Sequence, residues 1–229
     1  MKEQFSRTAD LIGKEKMEKL FKAKVAIFGV GGVGGYVAEA LARSGIGSID
    51  LFDNDKVAKS NINRQIVALN STIGQYKVDV MMQRIMDINP QANVLVHKIF
   101  YLPENADNID LKKYDYVVDA IDAVSAKLQL IETSKKAGVP IISSMGAGNK
   151  LNPALFEVAY IEKTSVCPLA KIIRKELKKR NISGVKVVYS KENAIKNNDK
   201  ETSVPSSNAF VPAACGLIIA GEVFNEIIN

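Results

Sequence analysis

Apolar and polar positions along the chain follow two periods that alternate. Short, nearly continuous apolar runs occur in "KVAIFG", "SIDLFDND", "NVLVHKIF", "YDYVVDAID" and "VPIISSMG". Between them, "GYVAEALARSG", "KVDVMMQRIMDI" and "VSAKLQLIETSKKAG" return an apolar residue every three to four positions, the period of a helix. The first of these helices closes at Gly45 and the second is stopped by Asn89 and Pro90. Residues 8–21, "TADLIGKEKMEKLF", read as a short amphipathic helix ahead of the first strand. Strands that are apolar throughout and alternate with helices predict a mostly parallel sheet covered on both faces, an α/β fold of Rossmann-like type.

After Met145 the pattern changes. "PALFEVAYIEKT" and "GVKVVYS" read as antiparallel strands that extend the sheet, with a helix, "PLAKIIRKELKKRN", between them. Leu169, Ile172, Ile173 and Leu177 form one apolar stripe on that helix and leave its basic residues on the other side. The segment "NNDKETSVPSSN" at 197–208 reads as an exposed, mobile loop. Residues 209–228 are apolar, but Glu222 interrupts them and the run is short, so they predict a buried helix and not a membrane anchor.

Composition adds little except in one place. Hydrophobic residues make up 47% and charged residues 24% of 229, an ordinary globular mixture. The N-terminal residues are too charged for a signal peptide. The two cysteines, Cys167 and Cys215, lie far apart and form no CxxC, which argues against a disulfide scaffold and a four-thiolate zinc site. A cytosolic enzyme is the expectation. The net charge of +6 is local: residues 170–191 alone carry +7, so the rest of the chain sums to −1.

The candidate chemistry begins where the first strand meets the first crossover helix. Gly29, Gly31 and Gly34 form GxGxxG, a turn that presents helix N–H groups to an anion. Asp53, at the end of the next strand, is spaced to bind ribose hydroxyls. These features fit NAD and ATP equally. Arg64, Lys77 and Asp122 lie further along, where loops at the carboxyl ends of parallel strands converge. Attack at the α-phosphorus of a triphosphate expels pyrophosphate and calls for fixed cations and a carboxylate to hold Mg²⁺; hydride transfer does not. The sole histidine, His97, sits within an apolar run as a strand-surface residue and offers no general base for an alcohol. The balance favours ATP.

Together, "GVGGVG", "LFDNDKVAKSNINRQ", "IGQYK" and "DAID" resemble the ThiF/MoeB/HesA superfamily of ubiquitin-activating-like adenylating enzymes. Within it, "NINRQIVAL", "MGAGNKLNPALFEV" and "VPAACGLIIAGEV" resemble the tRNA threonylcarbamoyladenosine dehydratase group (TcdA/CsdL) over nearly the whole chain. The resemblance implies one ThiF-type domain, with an ATP-binding half at 1–150 and an extension at 151–229. It implies that the glycine turn, Gly32 included, receives ATP, that Asp53 binds its ribose, and that Asn61, Arg64 and Lys77 contact its phosphates. Asp55 and Gln65 belong to the same nucleotide-binding stretch. Asp122 is the implied Mg²⁺ ligand. Arg7, in "FSRTADLIG", resembles an arginine that reaches the γ-phosphate in the partner subunit, which implies a homodimer. The implied catalytic set is therefore Arg7, Arg64, Lys77 and Asp122.

The implied reaction is ATP-dependent ring closure of threonylcarbamoyladenosine beside the tRNA anticodon, through an acyl-adenylate. Cyclisation within one nucleoside has a high effective molarity and needs no enzyme thioester. The basic helix, with Lys171, Arg174, Lys175, Lys178, Lys179 and Arg180, fits a polyanionic partner such as tRNA. Related dehydratases are associated with cysteine desulfurase machinery, so a sulfur-acceptor protein is a further partner that the resemblance admits. Two other readings stay open: an activating enzyme for a ThiS- or MoaD-like sulfur carrier, and a nucleotide-binding scaffold without turnover. Peripheral membrane association is compatible with this composition, although nothing in it asks for that.

Overall fold

The computed structural model describes residues 3–195 and 204–229. Seven strands form one sheet in the order β3-β2-β1-β4-β5-β7-β6. These are β1 (Lys24–Phe28), β2 (Ser48–Phe52), β3 (Asn93–His97), β4 (Tyr116–Asp119), β5 (Ile141–Ser144), β6 (Phe156–Tyr160) and β7 (Lys186–Ser190). The central strands carry no polar alternation: β4 and β5 are buried along their whole length and β1 beyond its first residue. That is the mark of strands packed on both faces. Strand order reverses between β1 and β4, which opens a crevice at their carboxyl ends.

Two helical layers cover the sheet. One face carries α1 (Ser6–Ile12), α2 (Lys14–Lys22), α3 (Gly34–Arg43), α4 (Lys77–Ile88) and α7 (Val211–Ile228). The other carries α5 (Val124–Ala137), α6 (Pro168–Lys179) and the irregular segment from Ile99 to Tyr114. By length and composition α7 could cross a membrane. Here it packs against α3, so closely that a Cβ on Gly216 would lie 2.5 Å from the Val33 carbonyl oxygen.

Several expectations need correction. The helix expected at 8–21 is two helices, because Gly13 adopts φ +88° between Ile12 and Lys14 and turns the chain. The strand "GVKVVYS" is not antiparallel to the main sheet. As β7 it pairs parallel to β5, and only β6 on the edge runs antiparallel, with Val158 opposite Val188. Ile172 does not join the apolar stripe of α6. Ala170, Ile173 and Leu177 are buried, whereas Ile172, turned about 100° from Ile173, is 48% exposed. Residues 197–203 of the expected mobile loop lie outside the described residues. Residues 204–208 are held in part by hydrogen bonds described below.

His97 ends β3 with its ring stacked on Phe52 at 4.1 Å. Its Nε2 lies 3.2 Å from Oδ2 of Asp50, a fully buried carboxylate in β2 that also accepts the Tyr114 hydroxyl at 2.6 Å. Burial, with this bond to Asp50, pushes the Tyr114 phenol well above its usual range. This group braces the sheet and the segment that covers it.

Candidate active site

The crevice is assembled by strand ends that bind one another. Gly29 follows β1 with φ +89°, donates its N–H to the Phe52 carbonyl at 2.8 Å, and passes so near Ala120 that a Cβ would lie 2.5 Å from its oxygen. A side chain at this position would meet both a strained φ and a backbone atom. Gly34 begins α3 against the same turn, and its Cβ would lie only 1.8 Å from the Gly29 oxygen. Gly29 and Gly34 are thus demanded by packing, as helix and strand approach closely. No side chain caps the N-terminus of α3, which leaves its positive end to an external anion.

Asp53 fixes this turn from β2. Its Oδ2 accepts the Val30 N–H at 2.7 Å and its Oδ1 accepts the Asp55 N–H at 2.8 Å. Each oxygen retains a lone pair for a ribose hydroxyl. Asp55 in turn meets Lys77, whose ammonium lies 2.6 Å from Oδ2. The Lys77 side chain is 7% exposed and that of Asp55 50%, so the cation is held at the wall of the crevice by a carboxylate open to solvent. Lys77 is also the first residue of α4, and its N–H donates to the Asp55 carbonyl at 3.0 Å.

The segment carrying Asn61, Arg64 and Gln65 folds over the glycines. Asn61 shapes its tight turn: Oδ1 accepts the Ala58 N–H at 3.1 Å, and its carbonyl accepts the N–H groups of Arg64 and Gln65. The stem of Arg64 lies 3.6 Å from the place of a Cβ on Gly32, and Nε2 of Gln65 lies 3.8 Å from that of Gly31. Arg64 Nη1 donates to the Ser60 carbonyl and to Asn63 Oδ1, both at 2.9 Å. Oε1 of Gln65 is buried without a hydrogen-bond partner. A nucleotide fits these groups on both counts: its phosphate oxygens accept from the α3 N–H groups, and its hydroxyl or amino groups can donate to a buried acceptor such as Gln65 Oε1. Asp122, on the loop after β4, is exposed at the crevice mouth.

The structure therefore gathers the glycine turn, Asp53, Asp55, Asn61, Arg64, Gln65 and Lys77 around one crevice. Arg7 stands apart: it is exposed on α1, with no hydrogen bond or ion pair to these groups. The basic residues of α6 stand apart too, and they differ among themselves. Lys171, Lys175 and Lys178 are exposed; Arg174 donates to the Thr164 carbonyl and hydroxyl, both at 2.7 Å. Lys179 pairs with Glu176 at 2.6 Å and Arg180 with Glu132 at 3.1 Å. Cys167 and Cys215 are buried thiols, and burial pushes that of Cys215 up to about 12.

The sequence reading missed two features. One is a clasp formed by residues 206–211: Asn63 Nδ2 donates to the Ser207 carbonyl, Asn208 Nδ2 to the Lys150 carbonyl, and Asn208 Oδ1 accepts from Val211 at the start of α7. The other is a buried cluster of Asp119, Lys127 and Ser143 beneath the Asp122 loop. Its one signal was a lysine in the middle of an otherwise apolar helix face.

Comparison with known proteins shows the family. The ThiF family model matches residues 5–229. The chain belongs to the ThiF family. Among family members, it is 46% identical to the tRNA threonylcarbamoyladenosine dehydratase of Bacillus subtilis, over 100% of this chain and 96% of that one. Crystal structures of the Escherichia coli tRNA N6-threonylcarbamoyladenosine dehydratase, TcdA, share this fold at a TM-score of 0.91 and 34% identity, over 98% of this chain. One of them is a complex with AMP and covers 94% of that chain, and another, with ATP, covers 93%.

Proposed function

We propose that this chain uses ATP to close the threonylcarbamoyl group of a tRNA nucleoside into a ring. The carboxylate of that group attacks the α-phosphorus and expels pyrophosphate. The resulting acyl-adenylate is attacked from within the same modification, giving the cyclic product and AMP. Counted across both steps, the nucleoside loses one water. The observation that supports the reading is the crevice itself: an uncapped helix end, Lys77 and the stem of Arg64 lie around the glycine turn, and a relative of the same fold is known in complexes with ATP and with AMP.

Each residue then has a task that its position supports. Asp53 orients the ribose while holding the glycine turn. The α3 N-terminus, Arg64 and Lys77 bind phosphate oxygens, Lys77 exchanging part of its contact with Asp55. Asn61 keeps the turn that aims Arg64. Asp122 is the residue placed to hold Mg²⁺, which would neutralise charge on the phosphate chain. Arg7 has no partner in its own crevice, in keeping with a homodimer in which it serves the neighbouring subunit. Lys171, Lys175 and Lys178 offer tRNA an exposed basic strip. The α6 N-terminus lies by Gly146, after β5, on the same end of the sheet as the nucleotide. A cytoplasmic location accompanies this reading.

The test is direct. Incubation with ATP, Mg²⁺ and tRNA bearing threonylcarbamoyladenosine should yield AMP and pyrophosphate, with the nucleoside lighter by one water. An unchanged nucleoside mass, assayed without hydrolytic workup, would refute the reading.

A further inference from the structure

Beneath the loop that presents Asp122 lies a group of buried charges that the proposed reaction has not yet used. Lys127 sits in the first turns of α5 with its side chain 0% exposed. Its ammonium donates to Asp119 Oδ2 at 2.7 Å, to the Ser144 carbonyl at 2.8 Å and to Ser143 Oγ at 3.2 Å. All three of its protons are thereby engaged. Asp119 is equally buried: Oδ2 also accepts the Ser143 hydroxyl at 2.5 Å, and Oδ1 accepts the Ile121 N–H at 3.1 Å.

Stability alone does not account for this arrangement. A buried ion pair gains little over apolar side chains of the same volume, because both charges must leave water. What it provides is direction, since the three acceptors fix where the end of β4, the end of β5 and the start of α5 stand. Residues 120–123 join the end of β4 to the start of α5; Asp122 and Ala123 are exposed there, and Asp122 is the ionisable one. The loop is pinned along its length. The Ala120 N–H donates to the Phe28 carbonyl at 2.8 Å and the Lys127 N–H to the Ala123 carbonyl at 3.0 Å. Ala120 also abuts Gly29 of the phosphate turn. Loss of the Asp119 fork frees Ile121, the residue just before Asp122.

We infer that Lys127 is a positioning residue, which acts through Asp119 and Ser143 to hold the Asp122 carboxylate at the height the phosphate chain requires. The inference rests on the adenylation reading for the role of Asp122. A misplacement near 1 Å at a reacting centre lowers rate about 10²-fold, which sets the scale expected here.

The experiment compares Ser143→Ala, Lys127→Met and Asp122→Ala, singly and as doubles with Asp122→Ala, in the full chain. Two quantities are read: kcat for AMP formation with substrate tRNA, and the Mg²⁺ concentration that half-completes the ATP-dependent rise in Tm. Ser143→Ala and Lys127→Met are each expected to lower kcat about 10- to 100-fold, with KM for ATP moved less than about 3-fold. Each should also raise the half-effective Mg²⁺ about 10-fold. Neither effect should appear once residue 122 is alanine, because groups that act through one another are not additive. Equal losses with and without the Asp122 carboxylate would overturn the inference, as would a folded Ser143→Ala protein with wild-type kcat and Mg²⁺ dependence. If Lys127→Met does not fold, Ser143→Ala decides alone. A wild type that makes no AMP but shows the Mg²⁺ shift, lost in Asp122→Ala, refutes the adenylation reading; the positioning role then stands if Ser143→Ala still raises the half-effective Mg²⁺ about 10-fold and falls if it does not.

Discussion

Gly34→Ala offers the sharpest check on the nucleotide turn, because Gly47→Ala supplies a control of equal steric severity. A methyl on Gly34 would lie 1.8 Å from the Gly29 oxygen; one on Gly47 would lie 1.8 Å from the Phe21 oxygen. Carbon and oxygen do not approach within about 3 Å, so in either variant backbone must separate by roughly 1.2 Å. Overpacking of this kind costs about 1–3 kcal/mol. At Gly34, part is returned by the better helix propensity of alanine, up to about 1 kcal/mol. The two variants should therefore be destabilised to within about 1 kcal/mol of each other, Gly47→Ala the more. They differ in what moves. Gly47 precedes β2 at the amino end of the sheet, whereas Gly34 starts the helix whose N–H groups face the phosphates. At 100 times the Kd, ATP should stabilise the folded chain by about 2.7 kcal/mol. For a chain of this length that corresponds to a rise in Tm of about 5–11 °C. Thermal unfolding with and without ATP and Mg²⁺ should show this rise in wild type and Gly47→Ala, and little of it in Gly34→Ala. A full rise in Gly34→Ala would refute the close-packed turn as the phosphate site. Its loss in both variants would mean that general loosening, and not the turn, governs binding.

Three further outcomes follow from the same geometry. Lys77→Met should raise KM for ATP about 10- to 100-fold, the worth of one charged hydrogen bond, while Tm changes little because Asp55 is left half-exposed; steady-state kinetics and a melt separate the two. Burial raises the Cys215 thiol from 9.0 to about 12, so above pH 9 the unfolded chain releases a proton that the folded chain keeps. Stability should then fall on the order of 1 kcal/mol per pH unit between 9 and 12 from this group, with no contribution below 9; urea melts of wild type and Cys215→Ala should diverge only in that window. Replacing Lys171, Lys175 and Lys178 with glutamate should flatten the salt dependence of tRNA binding by about 2 or more units of log–log slope, and an unchanged slope would remove α6 from the interface.

Much of this site could be read from the chain because its constraints are local. The turn between β1 and α3 needs glycine at Gly29 for its φ of +89° and at Gly34 for its approach to the Gly29 oxygen, both set within six residues of chain. Asp53, Asn61, Arg64 and Lys77 lie within one short stretch whose turns place them together. The features that escaped depend on distant partners. Asp119, Lys127 and Ser143 come from two strands and a helix, and a lone lysine on an apolar helix face does not say which distant groups it meets when buried. The direction of β7 is likewise a tertiary outcome. Val187 and Val188 suit a strand of either sense, and only its place between β5 and β6 settles which. Gly13 sits inside an amphipathic pattern that continues on both sides, so periodicity alone reads through the break.

The place of β7 also bears on synthesis. It is made after β6 yet lies between β6 and β5, so a nascent chain that has emerged only through Lys179 has no neighbour for Ile142 on that side of the sheet. At about 5–20 residues per second, that apolar edge stays open for roughly 0.5–2 s more before "KVVYS" leaves the ribosome to cover it. Chaperone protection, if this protein needs it in the cell, is expected at that stage of translation.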